Sequence, residues 1–429
     1  MKNFFKNLKL RRRGIAWLAG MHFFGNPSAK LKIVGVTGTN GKTTTVTLLY
    51  KIATELGYKC GLISTVENLV AGEKMSATYN APSTSPDPIF LNQLLNKMVS
   101  KGCKYVFMEV SSHAIDQNRV AGINFTGGIF TNLTQDHLDY HKSMEEYFLA
   151  KKKFFKMLPN RAFALSNTDD EYGNRMLKEI NACKFSYGFK NQANFKGEIS
   201  KLDWSGLELD FNSKNLLTQR KVRSKLLGKF NAYNLLSVWS AAMLLHFDID
   251  KVGKILESIE PPRGRFDHFT SRNGVLVIVD YAHTPDALEK VLLTISEIKT
   301  KESSPHTNGR GKIISVFGCG GDRDPLKRSK MGRIGVALSD IPIFTSDNPR
   351  SEDPNKIIAD IMSGLYTDDF KKVKSIPNRR EAILEAVKIA QKGDVILVAG
   401  KGHEDYQEIK GVKNHFDDME ELKKAFQQN

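Results

Sequence analysis

Short apolar runs alternate with amphipathic stretches along most of the chain. Residues 32–36 are largely apolar, enter a glycine-rich turn and lead into a helix-patterned stretch at 44–56. Residues 105–110 and 128–130 are further apolar runs that stop at polar residues. Uninterrupted apolar strands separated by helices predict a parallel sheet covered on both faces, with functional residues at the strands' carboxyl ends. Pro261-Pro262-Arg263-Gly264 breaks the pattern and reads as a hinge. Beyond it, apolar runs at 275–280, 312–317, 341–344 and 394–398 predict a second α/β domain. A charged stretch at 300–312 interrupts that domain and is expected to be a mobile loop. The predicted organisation is a short segment at 1–30, a central domain at 31–262 and a C-terminal domain at 263–429.

The first segment has a different texture. Lys2, Lys6, Lys9, Arg11, Arg12 and Arg13 interleave with Phe4, Phe5, Leu8, Leu10, Ile15, Trp17, Leu18, Phe23 and Phe24 at rough helical spacing. Gly25-Asn26-Pro27-Ser28 ends the pattern. Two readings stay open: residues 1–24 lie as a helix on a membrane surface or a partner protein, or the helix packs on its own domain.

Composition narrows the field. The chain has 429 residues, 41% hydrophobic and 26% charged, a balance that suits two or three globular domains and excludes collagen, long disorder and disulfide scaffolds. No apolar run approaches the roughly 20 residues of a bilayer span, and no secretory signal is evident. Four scattered cysteines without a CxxC pair predict reduced, mostly buried thiols and a cytoplasmic location. The net charge of +16 favours acidic partners such as nucleotides and phosphorylated metabolites. Nucleic acid is not expected, since no RNA-binding aromatic motif, zinc finger or helix-turn-helix signature accompanies the charge.

The strongest local signal is Gly35-Val36-Thr37-Gly38-Thr39-Asn40-Gly41-Lys42-Thr43-Thr44. It follows a strand and precedes a helix, so the N–H groups of the turn and the helix N-terminus would face a polyphosphate. Lys42 would reach the β- and γ-phosphates, and the Thr43 hydroxyl would ligate Mg²⁺. A strict P-loop has glycine five residues before Gly41, where this chain has Val36; the glycines here recur at a spacing of three.

Three further clusters follow. Glu109, at a strand tip beside the phosphate turn, could hold Mg²⁺ directly or through water; the alternative is that this strand end serves a helix capped by Ser111 or Ser112. His137 and His141 stand four apart, the spacing of a zinc-binding helical face, but with no nearby third ligand the Asn/Asp/His cluster at 131–141 suits Mg²⁺ and phosphate positioning better. Lys151-Lys152-Lys153 reads by itself as a solvated basic helix face.

Taken in order, the motifs at 35–44, 109–113, 131–141 and 147–151 resemble those of the Mur ligases. Within that family the likeness is to the tripeptide-synthetase type that adds meso-diaminopimelate. It continues through Gly228-Lys229-Phe230-Asn231-Ala232-Tyr233-Asn234, Gly264-Arg265, Asp280-Tyr281-Ala282-His283-Thr284-Pro285, Gly318 to Arg323, Asp347-Asn348-Pro349-Arg350 and Gly400-Lys401-Gly402-His403-Glu404. The resemblance covers residues 31–429. It implies a P-loop-type central ATPase domain with a parallel sheet and a Rossmann-like C-terminal α/β domain. The implied reaction is ATP- and Mg²⁺-dependent amide formation through an acyl phosphate, in peptidoglycan precursor synthesis or recycling.

The resemblance also implies roles. Lys42, Glu109, His137 and Lys151 would be catalytic. Thr43 and Glu109 would hold one Mg²⁺, and His137 with a carbamylated Lys151 a second. Gly38, Thr39, Asn40, Gly41, Lys42, Thr43, Thr44, Asn231, Asn234, Arg265, Asp280, Tyr281 and His283 would contact ATP from both sides of the hinge; by themselves Asn231 and Asn234 read equally well as helix caps. Thr84, Ser85, Ser111, Gln117 and Arg119 would hold the muramoyl peptide. Arg323, Asp347, Asn348, Arg350, Gly400 and Glu404 would take the incoming amino acid. Arg350 and Arg323 offer forked donors to the two carboxylates of diaminopimelate and Glu404 an anion to its distal ammonium. The alternative for Arg350 is a structural ion pair with Glu352. Family members carry a uridine-gripping domain ahead of the phosphate turn, whereas about 30 residues precede it here, so the acceptor is expected to be UDP-linked but weakly held, free of UDP, or completed by another protein. Two alternatives are another ligase of the superfamily, of folylpolyglutamate or cyanophycin type, and a non-catalytic binding subunit; Asp347 to Arg350 argues against the first, and intact Lys42, Glu109, His137 and Lys151 against the second.

Overall fold

The computed structural model describes residues 23–75, 85–213, 218–302 and 311–428. The amphipathic segment at 1–22 and most of the charged stretch at 300–312 therefore lie outside the described residues. The chain divides into two compact units, a first ending at Glu260 and a second from Pro261 that also takes Leu202–Ser205 and Leu226–Gly228.

The first unit begins with β1 (Lys32–Thr37), the glycine turn and α1 (Lys42–Glu55), then β2 (Cys60–Ile63), β3 (Asn68–Val70) and β4 (Glu73–Lys74). There follow α2 (Pro88–Ser100), β5 (Tyr105–Glu109), α3 (Ser112–Asp116), β6 (Phe125–Phe130), α4 (Leu138–His141) and α5 (Met144–Met157). Next come β7 (Phe163–Asn167), α6 (Gly173–Met176), β8 (Cys183–Gly188), β9 (Phe195–Asp203), β10 (Gly206–Ser213), β11 (Thr218–Ser224), α7 (Lys229–Leu244) and α8 (Ile249–Ser258). The helices start where the sequence supplies caps: Asp87 accepts from the N–H of Ile89 with Pro88 at the first turn, and Ser143 accepts from Glu146 ahead of α5.

Among the described residues these strands form one sheet in the order β11-β10-β9-β8-β7-β6-β1-β5-β2-β3-β4. Its centre is parallel, as predicted, and register aligns Val36 with Glu109 and Thr37 with Phe130. That alignment brings the carboxyl ends of β1, β5 and β6 side by side, which is where the glycine turn emerges. The flanks correct the sequence reading: β2–β3, β3–β4 and β10–β11 pair antiparallel. In β10 the alternation of buried Leu207, Leu209 and Phe211 with more exposed Glu208, Asp210 and Asn212 is the period-2 signature of a strand with one wet face. The core of this unit gathers Ile33, Val106, Met108, Phe130 and Phe154.

The second unit contains β12 (Asp267–Thr270), β13 (Leu276–Asp280), α9 (Pro285–Glu302), β14 (Ile313–Phe317), α10 (Leu326–Leu338), β15 (Ile341–Phe344) and α11 (Pro354–Met362). It ends with β16 (Lys374–Ser375), α12 (Arg379–Ile389), β17 (Val395–Ala399), β18 (Tyr406–Ile409), β19 (Val412–His415) and α13 (Asp418–Gln428). The sheet order is β12-β13-β17-β14-β15-β16, parallel except for the antiparallel edge strand β12. The strands β13, β14, β15 and β17 are buried nearly end to end, as continuous apolar runs require. Of the four cysteines, Cys60, Cys103 and Cys319 are buried thiols and Cys183 is exposed.

Candidate functional site

The glycine turn of the first unit is built around backbone that other residues cannot occupy. Gly38 and Gly41 have φ of 152° and 84°, and a Cβ on Gly38 would lie 1.9 Å from Thr131 Oγ1. Two residues after β6 brace the turn. Thr131 Oγ1 donates to the carbonyl of Asn40 at 2.6 Å, and the Asn132 side chain accepts from Asn40 N at 2.9 Å and donates back to its carbonyl at 3.1 Å. Thr131 and Asn132 thus hold the glycine turn in shape. Lys42 Nζ donates to the carbonyls of Gly38 and Thr39 at 3.0 and 2.7 Å. Thr44, like Thr43, is buried in the first turn of α1.

Glu109 ends β5 at 1% exposure. Its carboxylate accepts from the Thr43 hydroxyl at 2.9 Å and from Thr65 N at 2.8 Å, with the Thr65 hydroxyl 3.1 and 3.2 Å from its two oxygens. A hydroxyl and a carboxylate sharing one point beside a polyphosphate turn are hard oxygen donors of the type Mg²⁺ takes. Among the described residues no three His, Cys, Asp or Glu side chains converge on a metal position. Thr65 is a contributor that nothing in the local sequence marks.

Lys151 emerges from α5 into this same place. It is 1% exposed, donates to the carbonyl of Gly38 at 2.8 Å and lies 4.5 Å over the ring of Tyr147. Burial, with Lys42 nearby, holds its pKa well below the usual lysine range. Tyr147 in turn shares a hydrogen bond with the Thr39 hydroxyl at 3.3 Å. Lys152 departs from the solvated face expected of it. It is 5% exposed and donates to the carbonyls of Arg175 and Met176 at 2.7 and 2.8 Å and to that of Lys178, filling the open C-terminal end of α6. Lys153 is solvated as expected and pairs with Asp116 at 3.2 Å.

The two histidines do not act as a helical pair. His137 precedes α4 in a left-handed conformation with φ of 53°, its Nε2 3.4 Å from Asp136. His141 is buried and turned inward, Nε2 2.9 Å from the Ser112 hydroxyl and stacked on Tyr147. The outer edge of the His137 ring is exposed, but partial burial, His113, Lys151 and Lys42 outweigh Asp136 and lower its pKa. His113 packs 4.8 Å from His137, ring to ring.

The residues assigned to the acceptor come together except Thr84, which lies outside the described residues. Arg119 donates to Gln117 Oε1 at 3.0 and 2.7 Å and to the carbonyl of Ser85 at 2.9 Å, and the Ser85 hydroxyl donates to the carbonyl of Glu109 at 3.0 Å. Ser111 is the N-cap of α3, accepting from Ala114 N at 3.2 Å. Asn231 and Asn234 are buried inside the first turns of α7, bonded to each other at 3.1 Å, and the Asn234 amide lies against Gly41. Asn234 packs against the turn, and both lie inside the helix rather than at its cap position.

In the second unit Asp280 ends β13 and accepts from Phe266 N at 2.7 Å. Burial pushes its carboxyl up to about 6 despite Arg265. The Arg265 guanidinium lies 4.6 Å over the Tyr281 ring, which also meets His283 and His403. Gly400 N donates to the carbonyl of Asp280 at 3.1 Å, tying the end of β13 to the loop after β17. Asp347 accepts from Asn348 N at 2.6 Å, and Asn348 donates to Glu404 at 2.7 Å. Fully buried Lys401 bonds Asn348 at 3.2 Å and Glu404 at 3.4 Å and reaches the carbonyl of Tyr406. Burial and Asp347 raise the pKa of Glu404.

Arg350 and Arg323 both flank Gly320. Arg350 donates to the carbonyl of Gly321 at 2.7 Å and faces Glu408, not Glu352, at 3.6 Å. Glu352 is taken by Arg328 at 2.8 Å, and the resulting strong pairing holds its carboxyl well below the usual range, at about 2. Arg323 is exposed and makes no hydrogen bond or ion pair among the described residues.

A family model described as the Mur ligase middle domain matches residues 36–242, and one described as Mur ligase, glutamate ligase domain, matches residues 264–402. The UDP-N-acetylmuramoyl-L-alanyl-D-glutamate–2,6-diaminopimelate ligase of Bacteroides fragilis is 51% identical over 408 residues, 95% of this chain and 80% of that enzyme. The enzyme of the same name from Clostridium tetani is 42% identical over 426 residues, 99% of this chain and 83% of its own. A solved structure of an enzyme of that name superposes with a TM-score of 0.65 at 32% identity, over 97% of this chain and 82% of the other. A Mycobacterium tuberculosis folylpolyglutamate synthase superposes with a TM-score of 0.70 at 17% identity, over 90% of this chain and 92% of its own, a likeness of fold alone.

Proposed function

The chain belongs to the Mur ligase family, and from that premise we propose that it joins meso-diaminopimelate to the D-glutamyl end of UDP-N-acetylmuramoyl-L-alanyl-D-glutamate. It is an ATP-dependent acid–amino-acid ligase of peptidoglycan precursor synthesis. The observation that carries the choice of substrates is the 51% identity over 95% of the chain. No described helix is long and apolar enough to cross a membrane, and we place the work in the cytoplasm, where its nucleotide substrate is.

The reaction has two steps. An oxygen of the acceptor carboxylate attacks the γ-phosphorus of ATP, the bond to the β-phosphate oxygen breaks, and an acyl phosphate and ADP result. The amine of diaminopimelate then attacks the acyl carbon, the amide forms, and phosphate and a proton leave. Negative charge crowds where carboxylate meets triphosphate, so cations must offset it. In this proposal the turn from Gly38 to Thr44 cradles the phosphates and Lys42 exchanges its carbonyl partners for phosphate oxygens. Asn231, Asn234, Arg265, Asp280, Tyr281 and His283 would supply further nucleotide contacts. Thr43 and Glu109 would hold Mg²⁺, which supplies Lewis-acid neutralisation of the phosphate charge.

Lys151 fits a second role. Burial favours the uncharged form of this amine, and the unprotonated nitrogen can attack CO₂, losing one proton and gaining a carboxylate. The resulting carbamate would give His137 an anionic oxygen neighbour able to hold a second Mg²⁺. The acceptor peptide would lie along Ser85, Ser111, Gln117 and Arg119. The incoming amino acid would meet Arg350 and Arg323 through its carboxylates and Glu404, with Asp347, Asn348 and Gly400, through its ammonium groups.

Product mass spectrometry tests the proposal. The chain is incubated with ATP, Mg²⁺, acceptors with and without the uridine diphosphate group, and diaminopimelate, lysine, glutamate or arginine in turn. A product heavier by one diaminopimelate less one water, from the UDP-linked acceptor, is expected. Products containing glutamate or arginine but never diaminopimelate would overturn it.

A further inference from the structure

Apart from Arg323, which follows β14, the residues proposed for the incoming amino acid lie on two loops of the second unit, after β15 and after β17, and both loops are fastened to one buried side chain. Arg379 opens α12 with its side chain fully buried. Its Nη1 donates to the carbonyl of Ser346 at 3.4 Å and its Nη2 to the carbonyl of Ala399 at 3.0 Å. Those carbonyls belong to the residues immediately before Asp347 and Gly400. The other edge of the guanidinium makes a fork with Asp418, Nε and Nη2 each 2.7 Å from a carboxylate oxygen. Asp418 is likewise fully buried, at the start of α13.

We propose that Arg379, held in plane by Asp418, is a positioning residue that sets the separation of the two loops and thereby the selectivity for a diamino dicarboxylic acid. The inference rests on the reading of those loops as the amino-acid site. A guanidinium is rigid, planar and charged in every condition, so it can brace three acceptors at fixed spacing; an ammonium on a flexible stem cannot. From the braced carbonyls the geometry runs outward to the groups that would touch substrate: Asn348 donates to Glu404 across the two loops at 2.7 Å. A misplacement of about 1 Å between such groups is enough to cost a hundredfold in rate.

Arg379→Lys and Asp418→Asn, made in the full chain, test the inference. Steady-state kinetics vary ATP, acceptor and diaminopimelate separately, with lysine as competitor substrate, and urea unfolding is recorded for each protein. The expected result is a rise of about tenfold in KM for diaminopimelate and a loss of preference over lysine, with KM for ATP within about threefold of the parent. Asp418→Glu, which keeps the carboxylate, recovers part of both. Constants for all three substrates moving by one common factor, or unfolding shifted with every constant unchanged, would overturn it. Should Arg379→Lys fail to fold, Asp418→Asn, which leaves the guanidinium one side-chain acceptor besides the two carbonyls, decides alone. If the parent chain itself makes no diaminopimelate product, it is the functional reading that has failed; a working parent whose variants keep their selectivity fails this inference only.

Discussion

Each unit buries a cation beside its candidate site, and the two are handled in opposite ways. Lys151 in the first unit has a carbonyl and an aromatic face for company and, among the described residues, no ion-pair partner. Arg379 in the second has both oxygens of Asp418 at 2.7 Å. The chemistry of the groups explains the difference. An amine can give up its proton when burial makes charge costly; a guanidinium cannot, and must be paired. In the proposals above the first serves as a nucleophile and the second as a brace. Burial of a basic residue therefore says little about its work until its partner is known.

The largest expected effect tests the first half of the contrast. Lys151→Ala should lower ADP release by at least about a hundredfold, the scale of losing one preorganised charged group at a reacting centre. Its urea unfolding midpoint should hold or rise, since no ion pair is broken. Short carboxylic acids added to the variant should restore part of the turnover by standing in for the carbamate. Undiminished activity would break the comparison.

Asp418→Ala tests the second half. It strands a guanidinium in the interior, and stability should fall by about 3–5 kcal/mol in urea unfolding. A loss under 1 kcal/mol would mean that the carbonyls alone satisfy Arg379.

Asp280 sharpens the comparison with a group that can titrate. Its folded-state value of about 6 lies above its ordinary value of 3.8, so the folded unit holds a proton that the unfolded chain has released. Stability should therefore decline as pH rises from about 4 to about 6, by a total on the order of 2 kcal/mol. Asp280→Asn should flatten that slope. An unchanged slope in unfolding measured at pH 4.5 and 6.5 would show that other groups carry it.

The smallest effect concerns Arg350, a cation of intermediate standing, partly exposed and paired at 3.6 Å with Glu408. A resident carboxylate softens the penalty that lysine meets by leaving Arg350 without a substrate carboxylate. Glu408→Gln should therefore sharpen the preference for diaminopimelate over lysine by a few-fold, in keeping with the 0–1 kcal/mol of an accessible ion pair. A preference that falls instead would show that Glu408 chiefly orients the arginine.

Much of the parallel architecture was legible, because strands buried on both faces must be apolar throughout. Residues 32–36, 105–110 and 341–344 fall within a residue of β1, β5 and β15. The antiparallel flank was missed although Leu207, Leu209 and Phe211 alternate with polar neighbours; eight residues of period 2 are easily lost beside a stronger alternation of strands and helices. The tight turn after β1 was legible through local glycine spacing. Lys151 did not: its spacing fitted a wet helix face, and only likeness to a family singled it out. Arg379 left no trace, since nothing local tells which of two adjacent arginines will be swallowed by the fold. Thr65 and Glu408 escaped for the same reason, being brought to their partners by chain segments distant in sequence.

Lys151, Lys152 and Lys153 spell one letter three times within a single helical turn, yet they are 1%, 5% and 57% exposed. An acylating reagent ought to read that gradient directly. Peptide mapping of the folded chain should find the tag on Lys153, while its two neighbours stay unlabelled until the protein is denatured, so that three consecutive positions serve as a built-in gauge of whether the first unit is intact.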